Sequence, residues 1–189
     1  MITITDTDRL TFRLMDENDK QLLFDLDQDP EVMRFINGGT PTSWEDIEQR
    51  FLPRLRAYRN PENGWGLWQI NLKDNDAFLG WVLVRPMDFF SEQRKDNNLE
   101  IGWRLKQKYW GKGYATEAAK AIMETLAELP KVDKISAIAD PDNQGSINIM
   151  KKLGMRYLKT YTYRDGGREE DVVYYQIDVK GMENGQTAI

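Results

Sequence analysis

Apolar and polar residues alternate over Leu10-Thr-Phe-Arg-Leu14, the period of a strand with one buried face. The acidic run Asp16-Glu-Asn-Asp19 supplies N-cap residues, and Leu22, Leu23 and Leu26 follow at helical spacing. Pro30 opens a second short helix carrying Val32, Met33, Phe35 and Ile36, which Asn37-Gly-Gly39 closes. Thr42-Ser-Trp-Glu45 has capping-box spacing and predicts a third helix through Ile47, Phe51 and Leu55. Strand-like runs cover Gly66 to Leu72, Phe78 to Arg85 and Asn98 to Leu105, with Asp74-Asn-Asp76 as the turn between the first two.

A longer helix runs from about Gly113 to Leu129, its apolar face formed by Ala115, Ala118, Ala119, Ile122 and Leu126, and Pro130 stops it. Lys134 to Ala139 reads as a strand and Asn143 to Leu153 as a helix closed by Gly154. Two last strands, Arg156 to Arg164 and Glu170 to Val179, flank the hairpin turn Asp165-Gly-Gly167. This order predicts an α/β fold: a single mixed, mostly antiparallel sheet with helices on both faces. The 189 residues fit one domain, residues 1–180, with residues 181–189 as a flexible polar tail.

Composition narrows the chemistry. The chain has no cysteine and no histidine, which removes disulfides, thiolate and imidazole metal ligands, a cysteine nucleophile and the Ser-His-Asp arrangement. Acid-base work falls to carboxylates, Tyr, Lys, or Ser through water. The N-terminus lacks the charge and apolar core of a secretory signal, and no apolar run spans a membrane, so a soluble cytoplasmic protein without membrane contact is expected. A formal charge of −5, from 26 basic and 31 acidic residues, speaks against nucleic acid as a partner.

The segment Lys106-Gln-Lys-Tyr-Trp-Gly-Lys-Gly113 opposes that overall sign. Two glycines one residue apart at a helix start let backbone N–H groups turn onto a phosphate, and the helix dipole favours an anion there. Arg104, Lys106, Lys108 and Lys112 add cations with no acid among them. The plain alternative is a turn with solvated lysines. A P-loop's Gly-Lys-Ser/Thr ending and a dinucleotide fingerprint's third glycine are both missing, which disfavours nucleotide binding.

The segment resembles the pyrophosphate loop of the GNAT acetyltransferases, Gln/Arg-x-x-Gly-x-Gly/Ala, with Lys108-Tyr-Trp-Gly111-Lys-Gly113 carrying Lys where the family usually has Gln or Arg. Arg9-Leu-Thr-Phe-Arg13, Asp29-Pro-Glu-Val-Met-Arg-Phe35, Glu100-Ile-Gly-Trp-Arg-Leu105 and Asp142-Asn-Gln-Gly-Ser-Ile-Asn-Ile-Met-Lys-Lys-Leu-Gly-Met155 follow the order of the RimJ/RimL-like branch, so the similarity covers about residues 8–178. The resemblance implies a GNAT-like sheet with a splayed central strand pair, acetyl-CoA as cosubstrate and no metal. It places Trp103, Arg104 and Leu105 at the pantetheine arm. Lys108, Tyr109, Trp110, Gly111, Lys112, Gly113, Tyr114, Ala115 and Thr116 fall at the pyrophosphate, and Asn143 and Ser146 near the arm and sulfur. Asn143 and Ser146 are equally good helix N-cap and N3 residues.

Many relatives carry a Tyr acid seven residues after this Asn, where this chain has Met150. Ser146 is therefore the expected proton donor to the leaving thiolate. Glu100, acting through water, is the expected base, with an edge-strand carboxylate in solvent or a structural ion pair as its alternative readings. The implied reaction is direct attack of an amine, from a peptide N-terminus or a small molecule, on the thioester in a ternary complex. The acceptor pocket is expected from residues 35–40, 60–66 and 87–98, with Trp44, Trp65, Trp68, Phe89 and Phe90 as candidate lining, against the plain reading that most of them are core or hinge packing. A non-catalytic acyl-CoA sensor is the alternative function. The chain is expected to be a monomer or a homodimer.

Overall fold

The computed structural model describes residues 1–182. Its strands are β1 (Leu10–Leu14), β2 (Gly66–Leu72), β3 (Phe78–Met87), β4 (Lys95–Leu105), β5 (Lys134–Ala139), β6 (Arg156–Asp165) and β7 (Arg168–Asp178). Its α-helices are α1 (Lys20–Leu26), α2 (Pro30–Asn37), α3 (Trp44–Asp46), α4 (Leu52–Tyr58), α5 (Tyr114–Ala127), α6 (Gln144–Lys152) and α7 (Val179–Met182). The strands form one sheet in the order β1-β2-β3-β4-β5-β7-β6. Every neighbouring pair is antiparallel except β4 and β5.

The strand period places Leu99, Ile101 and Leu105 of β4 on the face covered by α5 and α6. Ala118, Ala119, Ile122, Met123 and Leu126 of α5 and Ile147 and Met150 of α6 fill that core. A second core lies on the opposite face, where Leu23 and Leu26 of α1, Val32 of α2 and Leu52 and Leu55 of α4 pack on Leu67, Phe78 and Trp81. Helices therefore cover both faces, as the amphipathic pattern requires.

Several boundaries depart from the sequence pattern. β3 runs on to Met87 and β4 starts at Lys95, because a register shift at Pro86/Met87 lets Met87 pair with Lys95 beyond a proline that donates no bond. Ser43, not Thr42, caps α3, its Oγ accepting from the N–H of Asp46 at 3.0 Å. The stretch Ile47–Phe51 between α3 and α4 is π-helical. Of the expected C-terminal tail, Gly181 and Met182 belong to α7, and residues 183–189 lie outside the described residues.

Gly80 sets how closely β3 and β4 approach. A Cβ there would stand 2.1 Å from the carbonyl oxygen of Arg104 and 2.7 Å from Leu105 Cα, both backbone atoms that cannot step aside. Gly80→Ala is expected to destabilise the protein by about 3 kcal/mol or more, read as a fall in the denaturation midpoint; an unchanged midpoint would show that the approach is not required.

Candidate active site

β4 and β5 are bonded only over Asn98–Glu100 against Lys134–Ser136. Beyond that point β4 stays with β3 as far as Leu105, and β5 stays with β7 as far as Ala139. The two strands part into a wedge whose facing backbone groups have no strand partner. Trp103 of β4 reaches across it: its indole Nε1–H donates to Ser146 Oγ of α6 at 3.2 Å. Asn143 caps α6, its Oδ1 accepting the Ser146 N–H at 3.1 Å. Ser146 Oγ is thus an acceptor toward Trp103 and keeps its own proton to donate. Met150, at the position where the family resemblance looks for a Tyr, is buried in the core and offers no hydroxyl.

At the wide end of the wedge, β4 passes into a 3₁₀ turn, Gln107–Tyr109, and then into the glycine loop. The Trp110 indole donates to the Leu105 carbonyl at 2.9 Å and ties the loop back onto the strand, while the Leu105 side chain is buried. Gly111 and Gly113 have φ of +70° and +80°, and a Cβ on Gly111 would meet nothing within 4 Å, so space lies open before the loop. Gly113 precedes α5, whose first bond runs from the Glu117 N–H to the Gly113 carbonyl at 3.0 Å. The N–H groups of Tyr114, Ala115 and Thr116 come before it and point out of the helix end. Tyr109 packs edge-on to Tyr114, and Lys108 and Lys112 lie 5.0 and 5.9 Å from the Tyr109 ring.

Arg9, whose role the sequence pattern did not reveal, locks this loop. Its Nη1 donates to the Lys112 carbonyl at 3.0 Å, its Nε donates to Glu117 at 2.6 Å, and its guanidinium covers the Tyr114 ring at 4.3 Å. Burial alone would raise the Glu117 carboxyl, but hydrogen bonds from Thr7 and Arg9 outweigh it and hold Glu117 below the usual glutamate range.

Arg104 is a correction to the loop's cation set. Strand alternation turns its side chain to the opposite face, where it pairs with buried Asp27 at 2.8 Å over the Trp81 ring. Only its backbone can serve the wedge. Lys106, Lys108 and Lys112 remain as the local positive field.

An open glycine cradle, free first-turn N–H groups and unpaired strand backbone are the donor set that a pyrophosphate and an amide-bearing arm require, so the residues fit coenzyme A. Among the described residues no group of three or more Asp or Glu is placed to hold a metal ion, and no helix is long and apolar enough to cross a membrane.

Glu100 lies at the apex of the wedge but faces the second core. It is 6% exposed, and its Oε2 accepts from Arg85 Nε at 2.8 Å. Around this pair burial pushes the Tyr58 phenol up to about 12 and the Tyr161 and Tyr163 phenols higher still, so these hydroxyls stay protonated. Desolvation would lower Arg85, but the charge and hydrogen bond of Glu100 raise it. Beside them is a cavity of about 340 Å³ lined by Asp88, Phe90, Ser91, Tyr163 and the β6–β7 hairpin tip, Asp165 to Glu169.

An Arg54–Asp165 ion pair and a bond from Arg168 to the Ile36 carbonyl, 3.0 Å, hold the tip against the helices. Of the five aromatics expected to line an acceptor pocket, only Phe90 lines this cavity. Trp44 stacks on Phe24 at 4.1 Å, Trp68 is buried and donates to the Gly64 carbonyl, and Trp65 and Phe89 pack against the two cores. The hairpin was readable as a turn, but nothing in its sequence said which cavity it closes.

The family model described as an acetyltransferase (GNAT) domain matches residues 9–156. Uncharacterized protein YkkB of Bacillus subtilis (strain 168) is 32% identical over 161 residues, 82% of this chain and 86% of that one. Uncharacterized N-acetyltransferase YnaD of the same organism is 32% identical over 150 residues, covering 79% and 81%. The structure of AAC(6')-Ib with paromomycin and acetyl-CoA superposes with a TM-score of 0.78 at 22% identity, over 96% of this chain and all of that one, and so shares the fold. The chain belongs to the GNAT acetyltransferase family, and acetyl-CoA is its cosubstrate.

Removing the loop's clamp separates its role from that of the wedge. Arg9→Ala is expected to weaken coenzyme A binding by about tenfold, measured by calorimetry. Glu117 contributes stability that is complete above the usual glutamate range and is lost as pH falls through its lowered value. In Glu117→Gln the acid limb of Tm against pH should flatten; an unaltered limb would remove the clamp from this account.

Proposed function

We propose that the chain acetylates a primary amine, a peptide N-terminus or a small-molecule amine, by direct attack in a ternary complex. The observation that carries this reading is the Trp103–Ser146 contact across the wedge, which sets a hydroxyl proton between an open strand and a capped helix end. Bound acetyl-CoA supplies the thioester carbonyl and a thiolate leaving group. Trp103, Leu105 and the Arg104 backbone line the arm, and the glycine loop with α5 takes the pyrophosphate.

Within that frame, Ser146 Oγ gives its proton to the departing sulfur and is resupplied by solvent. Glu100 receives the proton lost by the amine through water. Its Oε2 is taken by Arg85, and no hydrogen bond to Oε1 is present among the described residues. The order of motifs along the chain supports the RimJ/RimL-like branch.

Incubation with acetyl-CoA and a panel of paromomycin, spermidine and an Ala-start peptide, followed by thiol release and product mass, tests the reaction. Tight acetyl-CoA binding with no thiol release from any amine would contradict it. Ser146→Ala is expected to lower kcat by about a hundredfold with KM for acetyl-CoA little changed; full turnover would remove Ser146 from the role. In Glu100→Gln the acid limb of the kcat/KM profile should shift, and a profile matching the wild type would exclude Glu100 as base.

A further inference from the structure

Four of the charged residues that line the cavity already have partners. Asp165 is held by Arg54, Glu169 by Arg164 at 2.9 Å, and Arg168 by the Ile36 carbonyl. Asp88 is different. Its carbonyl oxygen organises the turn after β3, accepting from the Ser91 N–H at 2.9 Å and the Ser91 hydroxyl at 3.1 Å, but its carboxylate makes no hydrogen bond or ion pair among the described residues. Its backbone is left-handed, φ +58°, a conformation in which Asp and Asn are the favoured residues after Gly. The side chain is half-buried at the cavity wall beside Phe90 and Tyr163.

We propose that Asp88 is the anchor for the acceptor's ammonium group, and that acceptors are amines protonated in solution which enter between the Asp88–Ser91 turn and the β6–β7 hairpin tip and release that proton to solvent before the neutral nitrogen attacks the thioester. This deepens the reading of the chain as an amine acetyltransferase and rests on it. The cavity offers one unpaired anion, so it recognises one cation. A carboxylate partly removed from water gains more from a charge-assisted bond than an exposed one and costs more when left unpaired.

The groups acting on it come from three strands: Arg85 of β3, Lys95 and Glu100 of β4, and Lys159 of β6. Burial, first, and then the Glu100 charge raise the Asp88 carboxyl above the usual aspartate range, against the pull of those cations. Its anionic form, and with it amine affinity, is present at neutral pH and is lost as pH falls through that raised value.

Asp88→Asn keeps the left-handed turn and removes only the charge. Asp96→Asn removes one charge from an exposed pair with Arg94 on the same strand connection and serves as the control. With the fastest amine of the panel, Asp88→Asn is expected to raise KM for the amine about tenfold or more while KM for acetyl-CoA and kcat stay within about twofold. The rise of amine KM at acid pH should vanish in this variant, and Asp88→Glu should restore part of the affinity. An unchanged amine KM, or an equal rise in Asp96→Asn, would overturn the assignment. Loss of acetyl-CoA binding in Asp88→Asn would also overturn it, in favour of a structural role. Acetyl-CoA binding without acetylation of any amine by the wild type would overturn the enzymatic reading and the anchor with it.

Discussion

The site depends on a short parallel ladder. β4 and β5 are joined by Asn98–Glu100 against Lys134–Ser136 and by nothing further along the strands. A buried polar knot beside those pairs holds the join. Ser136 Oγ donates to Asn98 Oδ1 at 2.7 Å, Asn98 Nδ2 to the Tyr174 hydroxyl at 3.0 Å, and Gln176 Nε2 to both hydroxyls at 3.0 Å. Three strands thus meet in one satisfied network, which is rigid because each member would be left unpaired if any other moved. Past the knot each strand follows its antiparallel neighbour, and sheet twist carries the two apart. The exposed backbone left between them is a deficit that the fold does not meet and a ligand can.

The same strand alternation sorts the chemistry between the faces. Trp103 looks toward α6 and the wedge, while Glu100 and Arg104 look toward α1 and α4. The two ion pairs on that second face, Arg85–Glu100 and Arg104–Asp27, are both nearly excluded from water. Desolvation offsets most of the attraction in such pairs, so their net stabilisation is small, but losing either partner leaves a buried charge at a cost of about 3–5 kcal/mol. Their effect is positional. Arg104 binds the end of α1 to β4, Thr42 adds a second bond to the same Asp27 carboxylate at 2.8 Å, and the α1–α2 region is thereby held beside the mouth of the wedge.

Much of this was legible in the residues, and the parts that were not share a cause. Elements with a clear period and punctuation appear where the pattern puts them; β5 matches residue for residue, and Gly38 closes α2 in the left-handed conformation. The glycine loop was legible because φ > 0 and a helix start leave a local signature. Arg9 and Glu117, 108 positions apart, leave none. Arg104 looked like one of four loop cations because sequence shows proximity along the chain, whereas strand alternation sends its neighbours to opposite faces. Glu100 was visible as a carboxylate near the wedge, but Arg85 opposite it depends on the β3–β4 register, which runs unbroken from Gly80–Leu105 to Pro86–Leu99. Asp88 could not be singled out from the other aspartates, since what distinguishes it is a half-buried carboxylate at a cavity wall with no side-chain partner among the described residues.

Capping and chemistry, which compete as explanations for Asn143 and Ser146 when only their order is known, do not exclude each other in the folded molecule. In a capping box the N3 side chain turns back to the N-cap N–H. Here the capping is done by Asn143 alone, through the Ser146 backbone N–H, and the Ser146 side chain is released from it. What orients that hydroxyl is the indole on the other side of the wedge. Because Trp103 has only a donor to offer, it occupies an oxygen lone pair and leaves the O–H as the free end. The cap fixes where Ser146 stands, and the Trp103 indole takes one direction in which the hydroxyl proton cannot point.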